Sequence, residues 1–282
     1  MAANIIDGKK LASEIKARLK DEVKNLKQKP GLAIIIIGEN IASEIYVKNK
    51  LKACEEVGIY SELRRLSGDV VSEKRIIEII DKLNSNEKIS GIIVQMPLPD
   101  HLNEQKIIDS ICPLKDVDGL TTYNQGKLAR GDLSGITPAT PSGVIKLIES
   151  TGERFEGKRA VVLGRSILVG RPAAVLLELK NCTVTVCHSK TPNTAEICRE
   201  ADILIAAVGK PALVKKDMVK KGAIVIDVGI NREGADIKGD VDFENVKEVA
   251  GFITPVPGGV GPMTVACLLE NVIKAAKLQN KA

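Results

Sequence analysis

The chain alternates short, continuous apolar runs with stretches in which apolar residues recur every three or four positions. The runs are typical of buried strands and the recurrences of helices that bury one face. Alternation of the two along the whole chain predicts an α/β fold with parallel sheets. The strands are expected at residues 32–37, 60–66, 91–95, 159–163, 182–187, 202–208 and 223–228, and the helices at 42–57, 72–84, 173–179 and 265–278, with another that Asp7 caps and that runs through Leu11, Ile15, Leu19 and Val23.

Residues 97–141 interrupt this alternation and predict a domain boundary. The segment carries Pro97, Pro99, Pro113, Pro138 and Pro141, which are loop signals, and we interpret it as irregular. The strands and helices before it form a βαβαβ unit, and those after it restart the pattern as a doubly wound sheet. The last helix, 265–278, has an apolar face that needs a surface to cover, and we expect it to pack on the first domain.

One helix carries a lysine on its apolar side. In residues 42–57, Tyr46 and Lys50 fall with Val47 and Cys54, whereas Lys48 lies on the polar side. Burial disfavours the charged form of lysine, which is how a lysine becomes an acid/base catalyst near neutral pH. The alternative is that Lys50 lies at the edge of the stripe and extends its ammonium to water.

The second half contains a phosphate-binding pattern between a strand and a helix. Gly164 and Gly170 lie in the turn between the strand at 159–163 and the helix predicted at 173–179, so backbone N–H groups could approach a phosphate there. Ser166 stands where a dinucleotide fingerprint has its second glycine, so a plain strand–helix connection stays an alternative. After the next strand, Ser189 and Lys190 stand where NAD sites carry an acid. Together with Arg165 in the turn after the strand at 159–163, this hydroxyl and this lysine suit the 2′-phosphate of NADP, so we favour NADP over NAD.

Composition narrows the classes of partner. Of 282 residues, 44% are apolar and 27% charged, the net charge is +5, and only six are aromatic, so platforms for stacking nucleic acid are not expected. The start has no apolar segment typical of a signal peptide, and the apolar runs are too short to span a bilayer. We therefore expect a cytoplasmic protein that binds neither membrane nor nucleic acid. Six cysteines without a Cys-x-x-Cys spacing predict free thiols and no metal site.

Three loops carry unusual chemistry. Gln95 follows the strand at 91–95, where open α/β sheets bind ligands. Asp116 and Asp118 offer two carboxylates on one turn. The alternative is that these carboxylates only solvate an ordinary surface loop. Residues 254–264, rich in proline and glycine, precede the last helix and could be a mere connector.

Taken together, these motifs resemble the bifunctional methylenetetrahydrofolate dehydrogenase/cyclohydrolase (FolD) family over nearly the whole chain. The only departure that we note is Met96, where leucine is commoner in the family. The matching segments are Ser43-x-x-Tyr46-Val47-x-x-Lys50, Val94-Gln95-Met96-Pro97-Leu98-Pro99, Lys115-Asp116-Val117-Asp118-Gly119, Gly164-Arg165-Ser166-x-x-Val169-Gly170-x-Pro172, Cys187-His188-Ser189 and Pro255-x-Pro257-Gly258-Gly259-Val260-Gly261-Pro262-Met263-Thr264.

The resemblance implies a function and an organisation. It implies NADP-dependent oxidation of 5,10-methylenetetrahydrofolate to 5,10-methenyltetrahydrofolate, followed by hydrolysis to 10-formyltetrahydrofolate, in a homodimer. It also implies a folate-binding catalytic domain with a parallel βαβ-type sheet at 1–121 plus 266–282, and a Rossmann-like NADP-binding domain at 122–265. Tetrahydrofolate derivatives, which can carry polyglutamate tails, would be the substrates.

The resemblance also implies residue roles. Lys50 would be the acid/base of hydrolysis, oriented by Gln95 and Ser43. Tyr46 would stack on the pterin, and Asp118 would anchor it, whereas Asp116 should tolerate alanine better. The remaining implied sites are Pro262 and Thr264 for substrate, and Gly164, Arg165, Ser166, Gly170, Ser189 and Ile230 for cofactor.

Two other functions stay open from the residues alone. An NADP-binding regulatory protein could keep the fold and lose catalysis, because fold does not determine function. It would not need Tyr46, Lys50, Gln95 and Asp118 together. An amino-acid or shikimate-type dehydrogenase of similar architecture would lack the turn from Lys115 to Gly119 as a pterin anchor.

Overall fold

The computed structural model describes residues 2–68, 70–234 and 236–280, without the side chains of Ile41, Ala42 and Glu233. Its strands are β1 Asn4–Ile5, β2 Gly31–Ile37, β3 Tyr60–Leu66, β4 Gly91–Val94, β5 Arg159–Leu163, β6 Thr183–Cys187, β7 Ile203–Ala206, β8 Ile224–Asp227, β9 Asn231–Glu233, β10 Asp236–Lys238 and β11 Phe252–Ile253. Its α-helices are α1 Gly8–Lys24, α2 Ile41–Val57, α3 Glu73–Asn84, α4 Glu104–Asp109, α5 Thr122–Ala129, α6 Ala139–Glu149, α7 Gly170–Leu179, α8 Thr194–Arg199, α9 Phe243–Val246 and α10 Val260–Gln279.

The chain divides into two compact units, and the α/β fold class with parallel sheets is confirmed. One unit comprises residues 13–139 and 265–282, and the other comprises 1–12 and 140–264. These units differ from the domain bounds expected from the sequence at residues 1–12, 122–139 and 265. The N-terminal segment joins the second unit because β1 pairs with β11. The bounds of the folate and cofactor domains themselves stay a prediction.

The unit of residues 13–139 and 265–282 is built on a parallel sheet in the order β3-β2-β4. Every residue of β2 is buried, as expected for a central parallel strand covered on both faces. A segment at Asp116 lies beside β4 in parallel register with Ile92. Asp118 follows in the turn directly after this bridge.

The unit of residues 1–12 and 140–264 is built on a six-stranded parallel sheet in the order β1-β11-β8-β7-β5-β6. After β5 the chain adds β6 on one side and then β7 on the other, so the order reverses at β5. In open α/β sheets the carboxyl ends of strands at such a reversal form the ligand-binding edge. Gly164, which follows β5, therefore lies at the position where a nucleotide is expected.

The helix capped by Asp7 forms as predicted, since the Asp7 carboxylate accepts a hydrogen bond of 2.9 Å from the Lys10 N–H. The last helix packs as expected too. The Asn271 side chain of α10 donates to the carbonyls of Val117 and Thr137 at 2.9 and 2.8 Å, within the unit of residues 13–139 and 265–282.

Two expectations about local structure were wrong. Residues 97–141 are not irregular throughout, because α4, α5 and the start of α6 lie within them. Short polar helices such as α4 and α5 depend on side-chain caps rather than on a long apolar stripe; Asn103 and Thr121 supply these caps. The last helix begins at Val260, five residues before the predicted start, and it tolerates Pro262 because a first-turn N–H needs no helical partner.

Candidate active site

Helix α2 places Lys50 in the interior. Asn40 caps its start by accepting the Ser43 N–H at 3.0 Å, and Gly58 ends it in the left-handed conformation. Ser43, Lys50 and Cys54 share one face and are 3%, 7% and 0% exposed. The alternative in which Lys50 extends into water is therefore wrong. Tyr46, one turn before Lys50, is half-buried.

A neutral hydrogen-bond network holds the Lys50 amino group. Its Nζ donates to Gln95 Oε1 at 3.0 Å, and Gln95 Nε2 donates to the Met96 carbonyl at 2.9 Å. The Ser43 hydroxyl also donates to the Met96 carbonyl, at 3.3 Å, instead of to Lys50 as expected. Ser43 and Gln95 thus donate hydrogen bonds to the same carbonyl, that of Met96. The Lys50 amine is oriented by the side-chain amide of Gln95, which carries no charge.

The two carboxylates of the acidic turn have opposite environments. Asp116, 1% exposed, accepts hydrogen bonds from the N–H groups of Leu120 and Thr121, the Thr121 hydroxyl and the Asn124 side chain, at 2.7 to 3.1 Å. Lys115 is buried too, and its ammonium donates to the carbonyls of Leu83 and Asn86. Asp116 and Lys115 thus shape the turn.

Asp118 is only partly buried, and its carboxylate accepts no hydrogen bond from residues in the described ranges 2–68, 70–234 and 236–280. Burial raises the pKa of the Asp118 carboxyl; the charge of Lys50 opposes this shift, and the charge of Asp116 adds to it. Asp118 therefore lies within electrostatic range of Lys50 and keeps its oxygens available for a ligand.

In the other unit, the connection between β5 and α7 is folded too tightly for any residue but glycine. Gly164 has a φ of +110°, and a Cβ there would lie 2.1 Å from the Ala207 carbonyl oxygen. A Cβ at Gly170 would lie 2.2 Å from the Gly164 carbonyl oxygen. The Ser166 hydroxyl accepts the N–H groups of Val169 and Gly170 at 3.2 and 3.4 Å. Ser166, which stands where the usual fingerprint has a glycine, thus contacts the backbone at the start of α7, whose N-cap is Val169.

The other cofactor residues proposed from the sequence lie in the same unit and are exposed. They are Arg165 and Ser189, together with Ile230 at 41% exposure. Arg165 is tied by its backbone, since its carbonyl accepts the Arg171 Nε–H at 3.2 Å. Arg165 thus lies exposed, one residue after Gly164, at the edge where β5 ends.

Pro262 and Thr264 are the third and fifth residues of α10 rather than part of a loop. The Thr264 hydroxyl is 3.0 Å from that of Thr140 on α6, in the unit of residues 1–12 and 140–264. No cluster of histidine, cysteine, aspartate or glutamate suited to a metal ion occurs among the described residues.

Comparison with known proteins identifies the family of the chain that carries these side chains. Residues 6–118 match the family "Tetrahydrofolate dehydrogenase/cyclohydrolase, catalytic domain", and residues 138–280 match "Tetrahydrofolate dehydrogenase/cyclohydrolase, NAD(P)-binding domain". The chain belongs to the tetrahydrofolate dehydrogenase/cyclohydrolase family. It is 54% identical to the bifunctional protein FolD of Moorella thermoacetica over 98% of this chain and all of that protein.

Solved structures of tetrahydrofolate dehydrogenase/cyclohydrolases agree with the fold. The bifunctional FolD enzyme of Campylobacter jejuni matches with a TM-score of 0.96 and 47% identity, over 99% of this chain and all of that one. The FolD enzyme of Trypanosoma brucei, solved with NADP and an inhibitor, matches with a TM-score of 0.95 and 37% identity over the whole of both chains. The resemblance inferred from the six motifs is thus confirmed, and so is the expectation of an NADP-type cofactor.

Three buried charged residues escaped sequence reasoning. Asp227 ends β8, and Asp240 follows β10; both are buried among backbone N–H groups. For Asp227 the available signal was weak, an acidic residue at the end of the predicted apolar strand 223–228; for Asp240 the sequence predicts no strand nearby. Lys115 was included in a motif, but nothing in its neighbours indicated that its ammonium would be buried against two carbonyls.

Proposed function

We propose that the chain oxidises 5,10-methylenetetrahydrofolate with NADP and hydrolyses the resulting 5,10-methenyltetrahydrofolate to 10-formyltetrahydrofolate, with Lys50 as the acid/base of hydrolysis. The observation that carries the proposal is the buried Lys50 amine, held by Gln95 within electrostatic range of a carboxylate, Asp118, that accepts no hydrogen bond from the described residues. A purely nucleotide-binding protein would have no use for this arrangement.

The proposed chemistry of Lys50 follows from its environment. Its amino group can take a proton from the water that adds to the methenyl carbon, and return one to the ring nitrogen as the C–N bond opens. Gln95 supports this role because an amide oxygen orients the amine without holding it as a charged pair. Tyr46, half-buried one turn away, would offer its ring to the pterin.

Asp118 would bind the substrate. A pterin presents an amino group and a ring N–H side by side, and a carboxylate can accept both hydrogen bonds at once. Because the carboxylate of Asp116 is already occupied by four donors, Asp118 is the member of the turn with oxygens to offer. Pro262 and Thr264 would complete the substrate contacts.

The connection after β5 fits a dinucleotide. Its backbone approaches closely at Gly164 and Gly170, and α7 presents its N-terminus, which favours a phosphate. Arg165 and Ser189 would recognise the 2′-phosphate, and Ile230 would contact the cofactor. Held by these residues, NADP would supply a hydride acceptor for the methylene carbon. The chain's own contribution would be to align the two reactants and to exclude water.

An absorbance assay tests the proposal. Purified protein mixed with methylenetetrahydrofolate and NADP should form NADPH together with the methenyl chromophore, which then decays faster than the spontaneous rate. Binding of NADP without either product would support the regulatory alternative. A dehydrogenase of the amino-acid or shikimate type would leave the folate unchanged.

We further propose that the protein is a cytoplasmic homodimer. Membership of the family supports both statements. As a separate finding, none of the helices in the described part of the chain has the length and apolar character of a membrane span. Light scattering on the purified protein should give twice the mass of the 282-residue chain, and fractionated cells should hold the activity in the cytoplasm. A monomeric mass with full activity would contradict the dimer.

A further inference from the structure

Two buried aspartates lie at the edge of the six-stranded sheet where β7 and β8 end. Asp227 is the last residue of β8 and is 3% exposed; Asp240 follows β10 and is 0% exposed. Removing a carboxylate from water is unfavourable unless its oxygens receive hydrogen bonds. The donors that compensate for their burial are almost all backbone N–H groups of the loops at this edge.

Asp240 holds the loop that follows β7. Its Oδ2 accepts the N–H groups of Val208 and Gly209 at 2.7 and 3.0 Å, and its Oδ1 accepts the Lys210 N–H at 2.9 Å. The Asn231 side chain donates to the same Oδ1 at 2.9 Å. One carboxylate thus binds three successive N–H groups and joins that loop to the start of β9.

Asp227 holds Asp240 and the loop after β8. Its Oδ1 accepts the N–H groups of Gly229 and Asp240 at 3.0 and 2.8 Å, and its Oδ2 accepts the Val241 N–H at 2.9 Å. The packing has no spare room, because a Cβ at Gly229 would lie 2.2 Å from Asp240 Oδ1. A Cβ at Gly239 would lie 1.8 Å from Asp227 Oδ2.

The two loops held in this way adjoin the proposed cofactor residues. Ala207, directly before Val208, has its carbonyl oxygen against Gly164, so close that no Cβ would fit between them. Ile230 stands between Gly229 and Asn231, both of which contact these carboxylates. A shift of the loop after β7 would therefore move the Ala207 carbonyl that packs against Gly164. A shift of the loop after β8 would move the main chain of Ile230.

We propose that Asp240, held by Asp227, is a positioning residue that sets the affinity for the dinucleotide by fixing the loops after β7 and β8. The inference rests on the proposed function, in that it takes Gly164 and Ile230 as cofactor residues. Because Asp240 already accepts the N–H groups of residues 208–210, this loop supports the site and does not itself bind phosphate. Neither aspartate needs to contact the cofactor.

Asp240→Asn tests the inference. The substitution keeps the size of the side chain, but an amide N–H₂ then faces backbone N–H donors, so one side of the contact becomes repulsive. The Kd for NADP and the KM for NADP should rise roughly tenfold or more, while kcat at saturating NADP stays within about twofold. Hydrolysis of added methenyltetrahydrofolate, measured without NADP, should be retained.

The matched control is Asp242→Asn. The Asp242 carboxylate accepts hydrogen bonds from Lys215 and Asn245 near the surface, so this variant should leave the KM for NADP unchanged.

A reciprocal exchange separates positioning from a general loss of stability. In Asp240→Asn combined with Asn231→Asp, the introduced amide can donate to the introduced carboxylate, so affinity for NADP should recover by roughly fivefold or more over the single variant. If Asp240→Asn does not fold, Asn231→Ala replaces it, since that variant removes one donor and leaves Asp240 in place. Its KM for NADP should rise roughly threefold or more.

Three results would overturn the inference: a wild-type KM in Asp240→Asn, a wild-type KM in Asn231→Ala when that variant is used, or a fall in kcat with the KM unchanged. Failure of the proposed function has a different signature. In that case the wild-type protein itself would bind no NADP or form no NADPH, whatever the variants do.

Discussion

Lys50 and Gln95 stand 45 positions apart in the chain and are joined by a hydrogen bond of 3.0 Å between Nζ and Oε1. Lys50 comes from the buried face of α2, and Gln95 follows the last residue of β4, whose backbone is fixed by β2. The Gln95 N–H itself donates to the Ile35 carbonyl at 2.8 Å. The amine is therefore positioned by a sheet rather than by a flexible loop.

Lys50→Met should separate the two reactions. Methionine keeps much of the side-chain length but cannot transfer protons, and general acid/base catalysis is typically worth roughly 10² to 10⁴-fold. Hydrolysis should fall by that factor, whereas part of the dehydrogenase activity remains, so methenyltetrahydrofolate accumulates. The measurement follows NADPH formation and decay of added methenyl substrate in parallel, corrected for spontaneous hydrolysis.

Lys50→Arg is the companion variant. It restores a positive charge, but guanidinium keeps its proton at any working pH, so hydrolysis should not return. Hydrolysis at the wild-type rate by Lys50→Met would refute the catalytic role of the amine.

The acidic turn should respond to its two aspartates in opposite ways. Asp118→Ala should impair both reactions and leave NADP binding and the free energy of unfolding nearly unchanged, because Asp118 accepts no hydrogen bond from the described residues. Asp116→Ala should lower the free energy of unfolding by roughly 2 to 4 kcal/mol, because four donors would lose their acceptor. The expectation from sequence that Asp116 tolerates alanine better than Asp118 concerns activity and stays a prediction.

Urea titration and the two activity assays, run on both variants, test this contrast. A stable, fully active Asp118→Ala would remove Asp118 from the substrate site. An Asp116→Ala protein as stable as wild type would show that the four hydrogen bonds contribute little.

Arg165→Ala should weaken NADP far more than NAD. A charge-assisted contact with a phosphate is worth about 1.5 to 3 kcal/mol, which corresponds to roughly ten- to hundredfold in affinity. The control is Arg159→Ala, at the opposite end of β5, where the guanidinium pairs with Glu200 on the surface. Titration of both cofactors gives the ratio; equal losses for NADP and NAD would mean that Arg165 has only a structural role.

Asp227 should make stability depend on pH. Burial raises the pKa of its carboxyl to about 7 from 3.8, against the opposing effect of its backbone N–H donors. Between about pH 4 and 7 the folded protein then holds a proton that the unfolded chain releases. The free energy of unfolding should therefore fall as the pH rises through this window, by up to roughly 4 kcal/mol, and level off above it.

Asp227→Asn isolates this contribution, because the other titrating groups are common to both proteins. The difference in unfolding free energy, wild type minus variant, should decline from about pH 4 to 7 in urea titrations. A constant difference would mean that the three N–H donors keep Asp227 ionised across the range.

The periodicity of the sequence determined most of the elements, because a helix that buries one face and a strand that is buried on both leave distinct apolar patterns. β3 and β5 have the predicted bounds, and the position of Lys50 on the apolar side of α2 followed from its spacing. The six motifs determined the family, because each one combines residue types with a fixed spacing.

Only the tertiary structure decided which groups meet. The Met96 carbonyl that Ser43 contacts and the loop that Asp240 holds come from distant parts of the chain. The donors around Asp116 and Asp227 are nearer in sequence, but most are backbone N–H groups, which every residue but proline carries, so residue type does not reveal them. The short helices α4 and α5 likewise depend on their caps and neighbours more than on a stripe of their own. A sequence specifies which faces are buried, but the geometry of the folded chain determines which polar groups compensate for that burial.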